Sequence, residues 1–421
     1  MNFCNIRNKS IKKITIKLRY IHSVVMLFAL LLVGNAAYAS QAPIVIVVSP
    51  QQEVKEQIDD ADRIDEAIFE VNAMGGGTVL LLAGTYHVAS PINVLSDVTL
   101  KGHGQSGDNA TIIRLVDNAP SFNGTAGIVR LKNDEAVLRA DKRVFNATIE
   151  DLFIDGNRDN QRQDVVDAEK KYGIYSEGDN HTIRRVTTAN CMGYGFDPHG
   201  IKASDEGPAI GSHNYLIEDS ISYNNLLDGF TLDHLIDSVF RNNLAYDNER
   251  HGINVVTDAE NITISNSVSR NNGANGIMVQ NGAASLTIVD NHIYNNTENG
   301  VNLRASDYNV VKENVIRNNG REAIRIRGSY RNQVLHNHFF ENTTDNDSLF
   351  EIRLEEYDGI ESTFNKVVYN LIKSTGRGVL VEQDSADFNK FLYNNYNTLD
   401  GTFRIVGENS LEFGNTQISD Y

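Results

Sequence analysis

Along most of this chain apolar and polar residues alternate, and the alternation itself recurs at a fixed interval. A short unit, glycine followed by apolar, any and apolar residues, falls at Gly195, Gly229, Gly252, Gly276 and Gly300, then as Ala323-Ile-Arg-Ile326. The steps are 34, 23, 24, 24 and 23 residues. A period of 23–24 residues with strand-like chemistry marks a solenoid in which each repeat is one coil. Its columns follow by subtraction. Twelve residues before each repeat position stand Ile183, Ile217, Phe240, Ile264, Ile288 and Val311. One residue after it come Phe196, Phe230, Ile253, Ile277, Val301 and Ile324. Period-two alternation turns these inward and the residues between them outward. Four residues before the glycine the column reads Cys191, Asn225, Asn248, Asn272, Asn296 and Asn319, as in stacked asparagine ladders. The pattern predicts an all-β fold, a single-stranded right-handed parallel β-helix.

The ends of such a stack need covers, because they expose core and strand edges. Residues 59–73 predict an N-terminal capping helix. Ile64, Ala67, Ile68 and Val71 share one face, acids crowd the first turn, and Gly75-Gly-Gly77 stops it. The coils are expected from about Thr78 to Val406, with a short C-terminal cover after about Ser410. Residues 1–39 read differently. Six basic residues precede the apolar run Val24–Val33 and then Ala37-Tyr-Ala39, the order of a secretory signal peptide. The expected organisation is a signal peptide at 1–39 and a β-helix domain at 40–421, secreted to the periplasm or outside the cell.

Charge narrows the partners. The chain carries a net −17, and loss of residues 1–39 leaves 32 basic against 55 acidic groups, or −23. That balance argues against nucleic acid as a partner, no membrane partner is expected, and a monomer is. Cys4 lies in the leader, so Cys191 has no internal disulfide partner and reads as a turn filler. Gly102-His-Gly-Gln-Ser-Gly107 matches a dinucleotide-binding pattern, but the strand Thr111–Leu115 follows it where a helix would be needed.

The same columns gather chemistry. Just before the repeat glycine stand Tyr194, Asp228 and His251, and four residues after it His199 and Asp233. Asp197 lies between, and Arg250 adjoins His251. Coils about 4.8 Å apart make these two ladders on one outward wall. A tyrosine and a histidine beside an arginine suit removal of a proton α to a carboxylate, with the arginine neutralising the acid. That is the chemistry of uronic-acid polymers. Further along, Arg304, Arg327 and Arg325, with Arg353 if Phe350 and Ile352 point inward, are expected to grip carboxylates of a bound chain.

Tyr194-Gly-Phe-Asp-Pro-His199, Leu227-Asp-Gly-Phe230, Asp237-Ser-Val-Phe240 and Glu249-Arg-His-Gly252 resemble the catalytic module of secreted bacterial mannuronan C5-epimerases. These act on alginate within the pectate-lyase-like β-helix group. The resemblance is dense over about residues 150–305. It implies Tyr194 and His199 as the acid/base pair, with either order open, Asp197 as their motif carboxylate and Arg250 as the substrate-carboxylate contact. It places Asp228, Asp233 and His251 along the groove. The family's lysine-x-aspartate pair has its nearest match at Arg162-Gln-Asp164. Calcium dependence is implied too, with no site assigned; Asp155-x-Asn157-x-Asp159 and Asp345-Asn-Asp347 read as turns. The chain departs from the family in about ten extra residues within Gly200–His213, expected as a loop over the groove. Polymannuronate epimerisation is the leading expectation. An alginate lyase at the same site and a non-catalytic polysaccharide binder are the alternatives.

Overall fold

The repeat glycines mark corners where the chain has no room for a side chain. A Cβ on Gly195 would lie 2.0 Å from Ser222 Oγ, and one on Gly252 would lie 2.0 Å from Ser269 Oγ. Each corner therefore closes tightly, which fixes the start of the strand after it. A computed structural model describes residues 43–51, 59–122, 127–133, 142–162, 171–204, 207–344, 350–374, 378–383, 386–398 and 401–419. The unit Pro43–Tyr421 is a right-handed parallel β-helix with the helix Asp60–Ala73 at its N-terminal end.

The inward columns stack as the alternation requires. Phe196 pairs with Phe230, Phe230 with Ile253, Ile253 with Ile277, Ile277 with Val301 and Val301 with Ile324. The second column runs Ile183, Ile217, Phe240, Ile264, Ile288, Val311 in register. All are fully buried, and each such side chain stabilises the fold by about 1.5–3 kcal/mol.

Asparagine holds the corners in two ways. Asn242, Asn266, Asn271 and Asn295 take left-handed backbone with φ of 57°, 49°, 55° and 56°, which short polar side chains tolerate. The buried column donates from coil to coil: Asn225 Nδ2 to Asn248 at 2.9 Å, Asn248 to Asn272 at 3.0 Å and Asn296 to Asn319 at 2.9 Å. Cys191, buried with a free thiol, starts this ladder by giving its backbone N–H to Asn225 at 3.0 Å. Glu351 ends it, accepting from Asn342 Nδ2 at 2.8 Å. A second ladder, Asn314–Asn337–Asn370–Asn394–Asn415, runs parallel to the first.

Asp59 caps the helix, accepting the Ala61 N–H at 3.0 Å, and Ile64, Ala67, Ile68 and Val71 are its buried face. Two expectations need correction. Residues beyond Ser410 are not a cover. Leu411–Phe413 and Thr416–Gln417 pair in parallel with Lys390–Leu392 and Asn395–Tyr396, because Asn415 extends the ladder. Arg353 does not continue the Arg327 column either. Ile352 and Leu354 point inward, which aligns Arg353 with Arg325 and Glu355 with Arg327. Residues 1–39, Asp164 and Asp345–Asp347 lie outside the described residues.

Candidate active site

The outward face of one sheet carries the ionisable wall. Its strands include Ile174–Asp179, Phe196–His199, Phe230–Asp233, Ile253–Val256, Ile277–Gln280, Val301–Arg304, Ile324–Arg327 and Phe350–Glu355. His199 lies directly opposite Asp233. The corner column is tied through the backbone, with Gly195 N–H donating to Asp228 O at 3.0 Å and Gly229 N–H to His251 O at 2.9 Å. Tyr194, Asp228 and His251 therefore stand in line, and Asp197, Thr231 and Asn254 form the floor between the two columns.

Asp228 is the electrostatic anchor. Its fully buried carboxylate accepts from Arg250 Nε at 2.7 Å, Arg250 Nη2 at 2.5 Å, the His251 N–H at 3.0 Å, Thr231 Oγ1 at 3.1 Å and Asn254 Nδ2 at 3.0 Å. Burial alone would raise its pKa, but these donors hold it below the usual carboxylate range. The ion pair fixes the Arg250 guanidinium 5.4 Å from the centre of the Tyr194 ring while leaving the side chain 38% exposed. Burial pushes the Tyr194 phenol up to about 12 against the downward pull of Arg250.

His199 sits between carboxylates, its Nδ1 3.6 Å from Asp197 Oδ1 and 3.2 Å from Asp233 Oδ2. Burial pulls its pKa down, yet Asp197 and then Asp233 outweigh that and hold it above the ordinary histidine value. Asp233 is itself raised, by burial first. His251 is lowered by burial, and its Nδ1 accepts the Asn275 N–H at 3.2 Å, which leaves Nε2 as the protonated nitrogen of the neutral ring.

The structure adds residues that the sequence reading passed over. Tyr175 lies opposite Asp197 and Glu177 opposite His199. The Tyr175 ring is 5.6 Å from the His199 ring and its hydroxyl donates to Glu177, while Lys132 Nζ lies 3.6 Å from Glu177 Oε1. Tyr172 packs edge-on against Tyr194 with centroids 4.7 Å apart. A partial signal was present: Gly173-Ile-Tyr-Ser176, one coil before Gly195, keeps the glycine and first apolar position of the repeat unit but has serine at the second apolar position.

Arg304 and Arg327 stand in the outward column through His199 and Arg325 on the same face, as expected, and the remaining predicted residues have partners of their own. Arg162 is exposed after the turn Arg158–Asn160. Arg327 Nε lies 2.8 Å from Glu355 Oε1, which also takes Arg325 Nε at 2.9 Å. Arg304 is bonded to Gln280, and its guanidinium lies 5.2 Å from the centre of the Tyr357 ring. The extra residues after His199 fold back on themselves, with Ile201 bridged to Ile210 and Ser204 to Gly207. Ser212 Oγ donates to His199 O at 2.7 Å, and Lys202 Nζ reaches within 3.9 Å of Asp233.

Calcium finds no fitting donor set among the described residues, where no cluster of three acidic, histidine or cysteine side chains could hold an ion. Asp155 is ion-paired with Arg114 and bonds the Asn157 N–H and Asn190 Nδ2. No described helix is long and apolar enough to cross a membrane.

A family model described as periplasmic copper-binding protein (NosD) matches residues 196–349, within the repeat coils. Mannuronan C5-epimerase AlgE3 of Azotobacter vinelandii is 39% identical over 217 residues, covering 49% of this chain and 10% of that protein. The relatives at about 39% identity are mannuronan C5-epimerases. The solved A-module of the Azotobacter vinelandii epimerase AlgE6 superposes with a TM-score of 0.74 at 29% identity, covering 86% of this chain and 96% of the module. Alginate lyase 7 of the same organism is 34% identical over 213 residues, 48% of this chain and 22% of that protein. The chain thus spans about a tenth to a quarter of these two curated relatives and nearly the whole length of the solved module.

Proposed function

We propose that this protein is a mannuronan C5-epimerase that converts mannuronate to guluronate within polymeric alginate. The observation that carries the reading is that Tyr194 and His199 stand at either end of the short strand Phe196–His199, with the half-exposed cation Arg250 fixed beside the Tyr194 ring by buried Asp228. Similarity to epimerases and to an epimerase A-module supports the substrate class.

The C5–H bond of a uronate is acidified by its carboxylate only when that charge is neutralised. Arg250, held by Asp228 with its side chain 38% exposed, donates hydrogen bonds to the uronate carboxylate and so stabilises the charge that develops on it. His199 takes the C5 proton, and the electron pair left on C5 delocalises into the carboxylate. Tyr194, held as a phenol by burial, gives its proton to C5 from the opposite face. Exchange with solvent then resets both groups. Asp197 and Asp233 orient the imidazole and stabilise the imidazolium as it forms. Calcium enters as an assay component. We assign residues 1–39 as a signal peptide that exports the enzyme.

Incubation of polymannuronate with the protein and calcium, followed by proton NMR and ultraviolet absorbance, tests the reading. New guluronate signals without unsaturated ends are expected. The similarity to Alginate lyase 7 favours one second reading, in which the same carbanion expels the sugar at C4. Rising absorbance from unsaturated ends would select it, and neither change would leave a polysaccharide binder.

A further inference from the structure

The C-terminal coils carry a face of rings and cations that the proposed reaction does not use. The strands Val310–Lys312, Gln333–Leu335, Lys366–Val368 and Lys390–Leu392 lie side by side, and not in the sheet that carries His199. Phe364 and Phe388 stand at left-handed corners, φ 58° and 55°, where the backbone disfavours bulky residues. Their rings stack 5.0 Å apart at 14° and are 50% and 44% exposed. Tyr308, also 44% exposed, lies under the Arg331 guanidinium at 5.7 Å. Lys366 and Lys390 pair directly across the sheet. With Arg331 and the rings they line an open groove of about 360 Å³.

Three features point to a ligand. Clustered exposed rings cost solvation free energy and mark binding surfaces. Like charges facing each other across neighbouring strands are unfavourable, and no described carboxylate lies within ion-pair distance of Arg331, Lys366 or Lys390. In the catalytic sheet, by contrast, Arg325, Arg327 and Arg353 are all matched by Glu355 or Glu322. A chain of net charge −17 in which three neighbouring cations have no described carboxylate partner and stand beside flat rings is suited to a polyanion with apolar faces. A pyranuronate polymer has both, because the C–H face of each sugar can lie on a ring while its carboxylate meets an ammonium group.

We infer that this face is a second, non-catalytic binding site for an acidic polysaccharide. It lies five to eight coil steps beyond the catalytic coil, roughly 24–38 Å at the strand spacing. A polymer held there is kept near the catalytic groove between turnovers, which raises its effective concentration. The identity of the polymer rests on the epimerase reading; the existence of the site does not.

The test is affinity electrophoresis of the full chain through gels containing polymannuronate, polygalacturonate or neutral dextran. The variants are Phe364→Ala with Phe388→Ala, Lys366→Gln with Lys390→Gln, and Lys366→Arg with Lys390→Arg. The parent and the arginine variant should be retarded by acidic polymers and not by dextran. The other two should lose about tenfold in affinity for long polymers, while turnover of short mannuronate oligomers and thermal unfolding stay as in the parent. Equal retardation of parent and variants would overturn the inference. So would a parent dimer that the variants dissociate with polymer binding intact, since the face would then join two copies of the chain. Loss of retardation in a protein that forms no guluronate would uphold the site and remove only the reaction assignment.

Discussion

Tyr194 and His199 differ in how their surroundings prepare them. The phenol, pushed to about 12 mainly by burial, would enter the proposed reaction protonated at neutral pH. Tyr194→Phe should therefore lower turnover about 10²–10⁴-fold, the usual loss for one acid/base group, with circular dichroism unchanged because the side chain lies outside the core columns. A variant that kept near-parental turnover would remove Tyr194 from the mechanism. His199 must be neutral to accept a proton, so activity should rise as pH passes its raised pKa, on a limb above the ordinary value of 6.5. Asp197 contributes most of the upward pull. Asp197→Asn should consequently lower the His199 pKa and move the acidic limb of the rate profile to lower pH. An NMR titration of His199 checks the same sign independently of rate. An unmoved limb and titration would show that Asp197 does not set the charge on the ring.

At the scale of elements, the repeat was legible because its spacing is rigid. A corner with no space for Cβ forces Gly195 and Gly252, and an unbroken alternation then places every inward and outward residue. Where the step length changes, subtraction fails. Ile324 pairs with Ile352, a longer step than 23 residues, so neither the partnership of Arg327 with Glu355 nor the place of Arg353 could be counted from the sequence. Tyr175 and Glu177 escaped because their coil carries the polar Ser176 where the repeat unit has an apolar residue, so the count began one coil later, at Gly195. The hairpin after His199 is closed by its own bridges, Ile201 to Ile210 and Ser204 to Gly207. Deleting Ala203–Ile210 should thus change KM or product pattern while thermal unfolding stays near that of the parent; a large loss of stability with unchanged kinetics would make the hairpin structural. Glu351 makes the opposite prediction. Burial at the end of the asparagine ladder raises its pKa from 4.5 to about 7. The folded state then binds more protons than the unfolded chain between these values, so stability falls as pH rises through that window. Glu351→Gln should remove this pH-dependent loss, on the order of 1–3 kcal/mol between pH 5 and 8. Parallel stability curves for parent and variant would contradict it.

Over the whole molecule, a chain of net charge −17 that is proposed to take a polyanion must concentrate its positive potential along the path of that substrate. The outward column through His199 does so unevenly. It runs from Glu177 through His199 and Asp233 to Val256, Gln280, Arg304, Arg327 and Glu355. Arg304 lies four strand steps from His199, about 19 Å at the strand spacing, and so meets only a chain several sugars long. Its guanidinium rests on Tyr357 and bonds neutral Gln280, whereas Arg327 is neutralised by Glu355 at 2.8 Å. The two arginines should therefore contribute unequally. Arg304→Ala should weaken binding of long polymannuronate several-fold at low salt and progressively less as ionic strength rises, with short oligomers processed as before. Arg327→Ala should have the smaller effect, because it also frees the Glu355 carboxylate to repel the substrate only where Arg325 no longer shields it. Affinity measured against chain length at two salt concentrations decides the matter. If loss of Arg304 affected short and long substrates alike, its role would be to hold Tyr357 and the coil beneath it, and the polymer would take its grip elsewhere.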